Sequence, residues 1–461
     1  MKKAVVSAIL ALGFSLLSAQ SAMDKIVKMY NLKTNGAFEL NASKSGDGYD
    51  LSLSSADPIY KEIFNSKLMH VAYDDGPIVT SPEFTLASAG LSAKGSLLDF
   101  FAPSVAQNLK KSIKDDVKYS YEGIVSFGGE LKEEFTVDPI KDAGDAELKI
   151  SASKLEIKSE TDLETLEGET KVELESLMVK DTVKNGELYL KDIEGENIIT
   201  DAPVDGVVLF GKTALHIKEL GLKGQSGAKK IDVKFALDIG SEIRKVDEKL
   251  LDAAIDIDYK ALDAKSIVLA QGIEKSKLHL GFQNFGIKGV VELIKLSQKL
   301  EKINAKLSSA NQSGNDIEIQ KAIIESTELT NSLVPTINHL LLKDKSHLIV
   351  DWTMKSKKEN FIKLNLLYKG EPLSGNNIQS AMISLMAQQL TLVDGTFDIA
   401  MQRDLIMKLN PLSLLFLDMA KSKGFVSVKD SVYRVKGELK GGKIIINGKS
   451  YTIEELTKAL F

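Results

Sequence analysis

Lys171-Val172-Glu173-Leu174-Glu175 and, further along, Asp232-Val233-Lys234-Phe235-Ala236-Leu237-Asp238 place apolar side chains at alternate positions with charged residues between them. A period of two belongs to a β-strand, whose successive side chains leave opposite faces, so each run has one side for a core and one for water. The same alternation recurs in Glu147-Leu148-Lys149-Ile150, Lys154-Leu155-Glu156-Ile157-Lys158, Gly186-Glu187-Leu188-Tyr189-Leu190, Ala214-Leu215-His216-Ile217-Lys218 and Lys277-Leu278-His279-Leu280. Runs of this kind at close spacing predict antiparallel strands wetted on one face, and they make residues 118–286 an antiparallel β-rich body. Their spacing varies, so a fixed-period solenoid is not expected.

Beyond this body the period changes. Val290, Leu293, Ile294, Leu296, Leu300, Ile303 and Leu307 keep near 3.6-residue spacing, Ser308 to Asn315 interrupts, and Ile317 to Leu342 resumes, with Pro335 expected to kink or interrupt the second helix near its end. Residues 287–343 therefore read as a helical hairpin. The segment 344–461 mixes strands at Ser346–Met354, Phe361–Tyr368 and Thr396–Met401 with helices at Asn376–Gln389 and Asp404–Lys421, the latter broken at Pro411, and closes on two strands around Gly441-Gly442 and a helix from Ile453 to Phe461. Upstream, residues 22–117 form an α+β segment: a helix over Asp24–Tyr30, a hairpin from Ala37–Ala42 and Tyr49–Ser54, a helix after Asp57-Pro58, and turns at Asp74-Asp75-Gly76-Pro77 and Ser81-Pro82. The fold class that follows is α+β, predominantly antiparallel β: a long curved one-sided sheet with helices packed on it in the C-terminal half.

Met1-Lys2-Lys3, the apolar run Ala4–Leu17 and the small residues Ala19-Gln20-Ser21 follow the order of a signal peptide, with cleavage expected after Ser21. The alternative is an uncleaved inner-membrane anchor, but the run falls short of the roughly 20 residues that span a bilayer. No later stretch has spanning length without charge, so the mature chain is expected to have no transmembrane span and a periplasmic address. The formal charge of −5 becomes −7 once Lys2 and Lys3 leave with the leader. Cysteine is absent, which excludes disulfides, thiolate metal centres, a thiol nucleophile and an acylated N-terminal cysteine. Arg244, Arg403 and Arg434 are the only arginines, too few for a nucleic-acid surface.

No motif points to catalysis, to a cofactor or to a metal. Gly437-Glu438-Leu439-Lys440-Gly441-Gly442-Lys443 has the glycine and lysine spacing of a phosphate loop, but Ile444 stands where that loop needs Ser or Thr, and a hairpin turn explains it. Asp252, Asp256 and Asp258 lack the glycine and terminal glutamate of a calcium loop and read as a solvated strand face. His70, His216, His279, His339 and His347 are scattered, none at metal-ligand spacing from another. Glu39-Leu40-Asn41-Ala42-Ser43 resembles the acidic-x-Asn-x-Ser acceptor of some bacterial N-glycosylation systems, which makes Asn41 a candidate glycosylation site.

The chain resembles the YdgA-like family of uncharacterised Gram-negative cell-envelope proteins. The resemblance is carried by the N-terminal apolar segment, Gly76-Pro77 followed by Ala87-Ser88-Ala89-Gly90, the run of alternating strands, and the closing Gly437-Glu438-Leu439 and Ile446-Asn447-Gly448-Lys449. Many family members have a histidine before the Gly-Pro pair; Asp75 stands there in this chain, which argues against a catalytic role for the position. The resemblance implies an envelope address and this architecture, and no activity. The expected function is non-enzymatic binding or scaffolding in the periplasm, with a lipid or other amphipathic ligand lodged between the apolar sheet face and the helices of Val290–Leu342. The alternatives are a hydrolase of envelope polymers and a structural module whose partners are envelope proteins; the sequence leaves the oligomeric state open.

Overall fold

A computed structural model of the chain describes residues 26–31, 39–55, 63–80, 85–113, 116–126, 129–144, 147–226, 229–270, 272–313, 315–374, 377, 379–381, 383 and 389–460. They belong to two compact units, one of residues 1–231 with 294–327, the other of residues 232–293 with 328–461. The α+β class is what the structure shows: antiparallel strands dominate, and helices lie in the C-terminal half.

The first unit opens on helix α1 (residues 26–31), whose Ile26, Met29 and Tyr30 recur at i, i+3 and i+4 and are all buried. Asn31 ties this helix to strand β1 (Glu39–Ser45): its side-chain amide donates to the Leu40 carbonyl at 3.2 Å, and its oxygen accepts from the Leu40 N–H at 2.6 Å. Strand β2 (Gly48–Ser54) pairs with β1 in unbroken register, with Leu40, Leu51 and Leu53 turned into the core. Then come β3 (Lys67–Thr80), β4 (Thr85–Ser96), helix α2 (Pro103–Ser112), β5 (Lys118–Ser126) and β6 (Glu130–Val137), each strand antiparallel to the one before it. Val71, Tyr121, Leu131 and Phe135 complete the apolar core of this end.

The unit continues with β7 (Ile140–Gly144), β8 (Leu148–Ala152), β9 (Leu155–Asp162), β10 (Gly168–Asp181), β11 (Gly186–Val204) and β12 (Val208–Ser226). The first half of β10 pairs with β9 and the second half with β8, so β8 and β9 lie end to end along one edge of it. Ser153 bridges their junction: its N–H donates to the Ser176 carbonyl at 2.9 Å, and its hydroxyl accepts from the Ser176 N–H at 2.8 Å.

The second unit is an antiparallel meander of β13 (Lys229–Lys245), β14 (Leu250–Ala261), β15 (Lys275–Gly286), β16 (His347–Lys355), β17 (Glu359–Tyr368), β18 (Val393–Gln402) and, after the short β19 (Ser427–Lys429), β20 (Val432–Lys440), β21 (Lys443–Ile446) and β22 (Lys449–Tyr451). Helix α3 (Ala264–Leu269) joins β14 to β15, and α4 (Ile287–Ser313), α5 (Asp316–Asn331) and α6 (Leu333–Leu340) lead from β15 to β16, residues 294–327 of α4 and α5 belonging to the first unit. Helices α7 (Arg403–Leu409), α8 (Pro411–Ser422) and α9 (Ile453–Leu460) finish the chain. Ile406, Leu414 and Ala420 from α7 and α8 pack with Tyr433 and Ile446 and with the half-buried Phe397 and Met401 of β18, so these helices cover the sheet.

Three local readings are corrected. Asp74–Pro77 is not a turn: β3 runs through it, and its pairing with β4 shifts between Asp75 and Ile78. A proline has no N–H for the ladder and is accommodated at such a bulge, with pairing resumed on both sides. The interruption expected over Ser308–Asn315 narrows, because α4 stays helical to Ser313. The break expected at Pro335 falls earlier, at Ser332, which leaves Pro335 in the first turn of α6, where a missing N–H costs least. The leader, the helix after Asp57-Pro58, the turn at Ser81-Pro82 and most of the helix expected over Asn376–Gln389 lie outside the described residues.

Candidate functional site

The site is a groove of the first unit, about 540 Å³, where β6 passes into β7 and β8 into β9 beside the outer halves of β10 and β11. Its lining is apolar at Pro139, Ile140, Ala152, Leu177, Met178 and Leu190 and cationic at Lys141, Lys191 and Lys223, with Glu187 as the one carboxylate among the described lining residues. That volume is typical of small-molecule sites, which run roughly 300–1,000 Å³.

A change of phase in three neighbouring strands builds it. In β10 the inward residues are Thr170, Val172 and Leu174, but beyond Glu175 Leu177 and Val179 add apolar side chains of the opposite parity, with Met178 between them. In β11 Leu188 and Leu190 give way to Ile193 across Asp192, which has a left-handed φ of 47°, and in β12 Ile217 gives way to Leu220 across Lys218. The register sets Glu175, Asp192 and Lys218 on one line across the sheet, with Lys218 paired to Asp192 at 2.8 Å. Outside that line Ser176, Met178, Glu187, Tyr189 and Lys191 share the groove face.

Tyr189 is its centre, only 4% exposed. Directly opposite on β12 is Gly221, where a Cβ would stand 2.1 Å from Tyr189 Cζ, so the glycine leaves the space in which the ring lies. The Tyr189 hydroxyl donates to Glu219 at 2.7 Å. The ammonium groups of Lys191 and Lys223 lie 5.2 and 4.7 Å from the ring centroid, and Lys223 is also paired to Glu187 at 2.8 Å. Both ammonium groups stand within cation–π reach of the ring while each is paired to a carboxylate, Lys191 to Glu219 at 3.6 Å and Lys223 to Glu187.

The residues singled out from sequence do not converge here. Asn41 is exposed on β1, on the same face as Glu39 and Ser43, while Leu40 points inward. Gly76 and Pro77 lie in the β3 bulge. The three aspartates are separately engaged: Asp252 with Arg244 at 2.8 Å, Asp256 with His279 at 2.8 Å, and Asp258 with Lys277. His70 is hydrogen-bonded to Asp50 at 2.9 Å and to Asp47 at 3.2 Å, and these carboxylates, Asp50 foremost, hold it above the usual histidine range. His339 meets Glu292 at 2.7 Å. Among the described residues no group of three or more His, Asp or Glu side chains is placed to hold a metal ion. The glycine- and lysine-rich 437–443 is the end of β20 and its turn into β21, with Gly441 and Gly442 at positive φ.

From alternation alone, Tyr189 is legible only as part of a strand. Its lysines and its glycine seat come from pairing over about thirty residues of chain, which alternation alone does not reveal. The signal that was present is Gly221 between Leu220 and Leu222, a glycine inside a strand run.

A family model described as "Bacterial protein of unknown function (DUF945)" matches residues 57–454. No curated protein and no solved structure matches the chain.

Proposed function

We propose, from the premise that this chain belongs to the bacterial family of unknown function DUF945, that it is a non-enzymatic envelope protein that binds an amphipathic anion in the groove around Tyr189. The observation that carries this reading is that Lys141, Lys191 and Lys223 line a groove whose other residues are largely apolar. An acyl or similar chain would lie beside Met178 and the Tyr189 ring, on the face they share with Lys191, and its acidic head would meet the ammonium groups held at Tyr189. Glu187 and Glu219, the carboxylates among the described residues at Tyr189, are each paired to a lysine, an arrangement that does not suit the free acid and base of a hydrolase of envelope glycans. The reading includes the YdgA-like kinship, the Gram-negative envelope and export by cleavage after Ser21, which rest on the sequence.

The groove is tested with the full chain purified from cells without detergent, its organic extract examined by mass spectrometry. An acidic lipid or fatty acid is expected to co-purify. Gly221→Val drives the Tyr189 ring from its seat, and the ligand retained per protein is expected to fall about tenfold, a change of about 1.4 kcal/mol in affinity. A ligand-free wild type, or equal retention by Gly221→Val, would refute the groove.

Export and Asn41 share one measurement. We further propose that Asn41 accepts a glycan through its side-chain amide, since Glu39, Asn41 and Ser43 share one exposed face. Asn311, exposed on α4 in Asn311-Gln312-Ser313, has Ser309 where Asn41 has Glu39 and is the internal control. Protein isolated from its native bacterium is expected to begin at Ala22 and to carry added mass on tryptic peptide 34–44, with none at Asn311. An unmodified 34–44 peptide from a host with an active glycosylation system would end the modification reading.

A further inference from the structure

We propose that the second unit carries a docking surface for an anionic lipid bilayer, formed by α7 and α8 with the end of α3. It stands on observations separate from the groove.

Helix α8 is apolar on two sides. Leu414 and Ala420 enter the core with Ile406 of α7, while Leu412, Leu415 and Phe416, at i, i+3 and i+4, stand 70%, 61% and 48% exposed. A surface helix with one core stripe ordinarily turns polar residues to solvent, and a helix apolar all round belongs in a core or at a lipid interface. Met407 of α7, 52% exposed, extends the patch. Val268 of α3 is 77% exposed, and α3 ends beside α7: a Cβ on Gly272 would lie 3.4 Å from the Lys408 ammonium. Asn410 caps α8 by accepting from the Leu412 N–H at 3.1 Å, which fixes Leu412 in the first turn.

The charges around the patch choose the occupant. Arg403, Lys408 and Lys421 on α7 and α8 and Lys423 just beyond outnumber Asp404 and Asp418, whereas Lys265 on α3 is paired to Asp232 at 3.7 Å. Asp263 is engaged as the cap of α3 through Ser266. This basic majority occurs in a chain of net charge −5. Helix α5 makes the contrast: Ile317, Ile323 and Ile324 are exposed too, but among Asp316, Glu318, Glu325 and Glu328, with Lys321 paired to Glu318 and Lys306 to Glu325. A negatively charged bilayer attracts the first patch and repels the second, because interfacial binding adds headgroup attraction for lysines to burial of apolar side chains.

The test is flotation of the full chain with vesicles of phosphatidylcholine alone and of phosphatidylcholine mixed with phosphatidylglycerol. Flotation is expected with the anionic vesicles, reduced by salt and weak with the neutral ones. Leu412→Ser/Leu415→Ser/Phe416→Ser, at solvent-facing positions whose folding is checked by circular dichroism, is expected to lower the bound fraction about tenfold. Ile317→Ser/Ile324→Ser on α5 is expected to leave it unchanged. Absence of flotation, or equal flotation of the triple variant, overturns the proposal. So does a concentration-dependent dimer that the triple variant abolishes, which would assign the face to a second copy of the chain.

Discussion

Glu133→Ala is expected to destabilise the first unit by about 3–5 kcal/mol, read as a lower midpoint in urea with unchanged slope. Glu133 lies on β6 inside the N-terminal core, 8% exposed. Tyr30 of α1 and Tyr121 of β5 each donate a hydroxyl hydrogen to it at 3.0 Å, one to each carboxylate oxygen. One carboxyl group thus joins a helix and two strands across a sequence separation of 103 residues. Truncation removes the acceptor of two buried hydroxyls and leaves a cavity, and buried hydrogen bonds to charged groups contribute about 1.5–3 kcal/mol each. Glu133→Gln keeps the shape and should cost about half as much. In a double-mutant cycle, Tyr121→Phe and Glu133→Gln should couple by more than about 0.5 kcal/mol, as groups in one network do. A loss below about 1 kcal/mol for Glu133→Ala would show that the carboxyl group does not hold this core.

The same cluster gives the measurement a pH dependence. Burial above all, then the charge of Glu133 and the nearby Tyr30, holds the Tyr121 hydroxyl well above its ordinary value near 10, and burial pushes Tyr119 up to about 12. A group whose folded pKa is raised adds stability that is whole below its unfolded pKa and is lost as pH climbs toward the folded one. The urea midpoint should therefore be insensitive to these tyrosines below about pH 10 and fall steadily above it, by up to about 1.4 kcal/mol per pH unit for each.

Much of the architecture is legible from local pattern, and the reason differs by element. The β1–β2 hairpin is readable because Leu40, Leu51 and Leu53 alternate with polar residues around a Gly/Asp turn, and the α7–α8 break because Pro411 cannot continue a helix. Gly76-Pro77 misleads because the residues that end strands in a hairpin are also those a bulge tolerates; only pairing with β4 decides between them. Ser308 to Ser313 stays helical despite weak propensity, with the buried Ala310 in that stretch anchoring it. The groove is the least legible part. Alternation places Tyr189 on a face, but Gly221 and Lys223 reach it only through the register of two nineteen-residue strands.

Gly289→Ala is expected to lower the melting midpoint of the second unit, at a cost of about 3 kcal/mol, although alanine is the better helix former by about 1 kcal/mol. The sign reverses because α4 begins by crossing the end of α6 at backbone distance. A Cβ on Gly289 would lie 2.3 Å from the Leu340 nitrogen and 2.4 Å from its Cα, and one on Gly286 would lie 1.9 Å from the His339 carbonyl oxygen. These are main-chain atoms, and they cannot rotate aside as a side-chain tip can. The helices must separate, and the contacts closed by their approach then lengthen: His339 to Glu292 at 2.7 Å, and Lys288 to His339 at 3.1 Å. Lys288→Ala removes the outer partner of that cluster without touching the crossing, and should cost less than about 1 kcal/mol, as exposed polar contacts do. The two variants separate close packing from surface electrostatics. In hydrogen exchange, Gly289→Ala should loosen residues 287–293 and 333–340 together, because a widened crossing exposes both sides of it. A raised midpoint for Gly289→Ala would mean that helix propensity outweighs the contact, and that the glycines are not what brings α4 and α6 together.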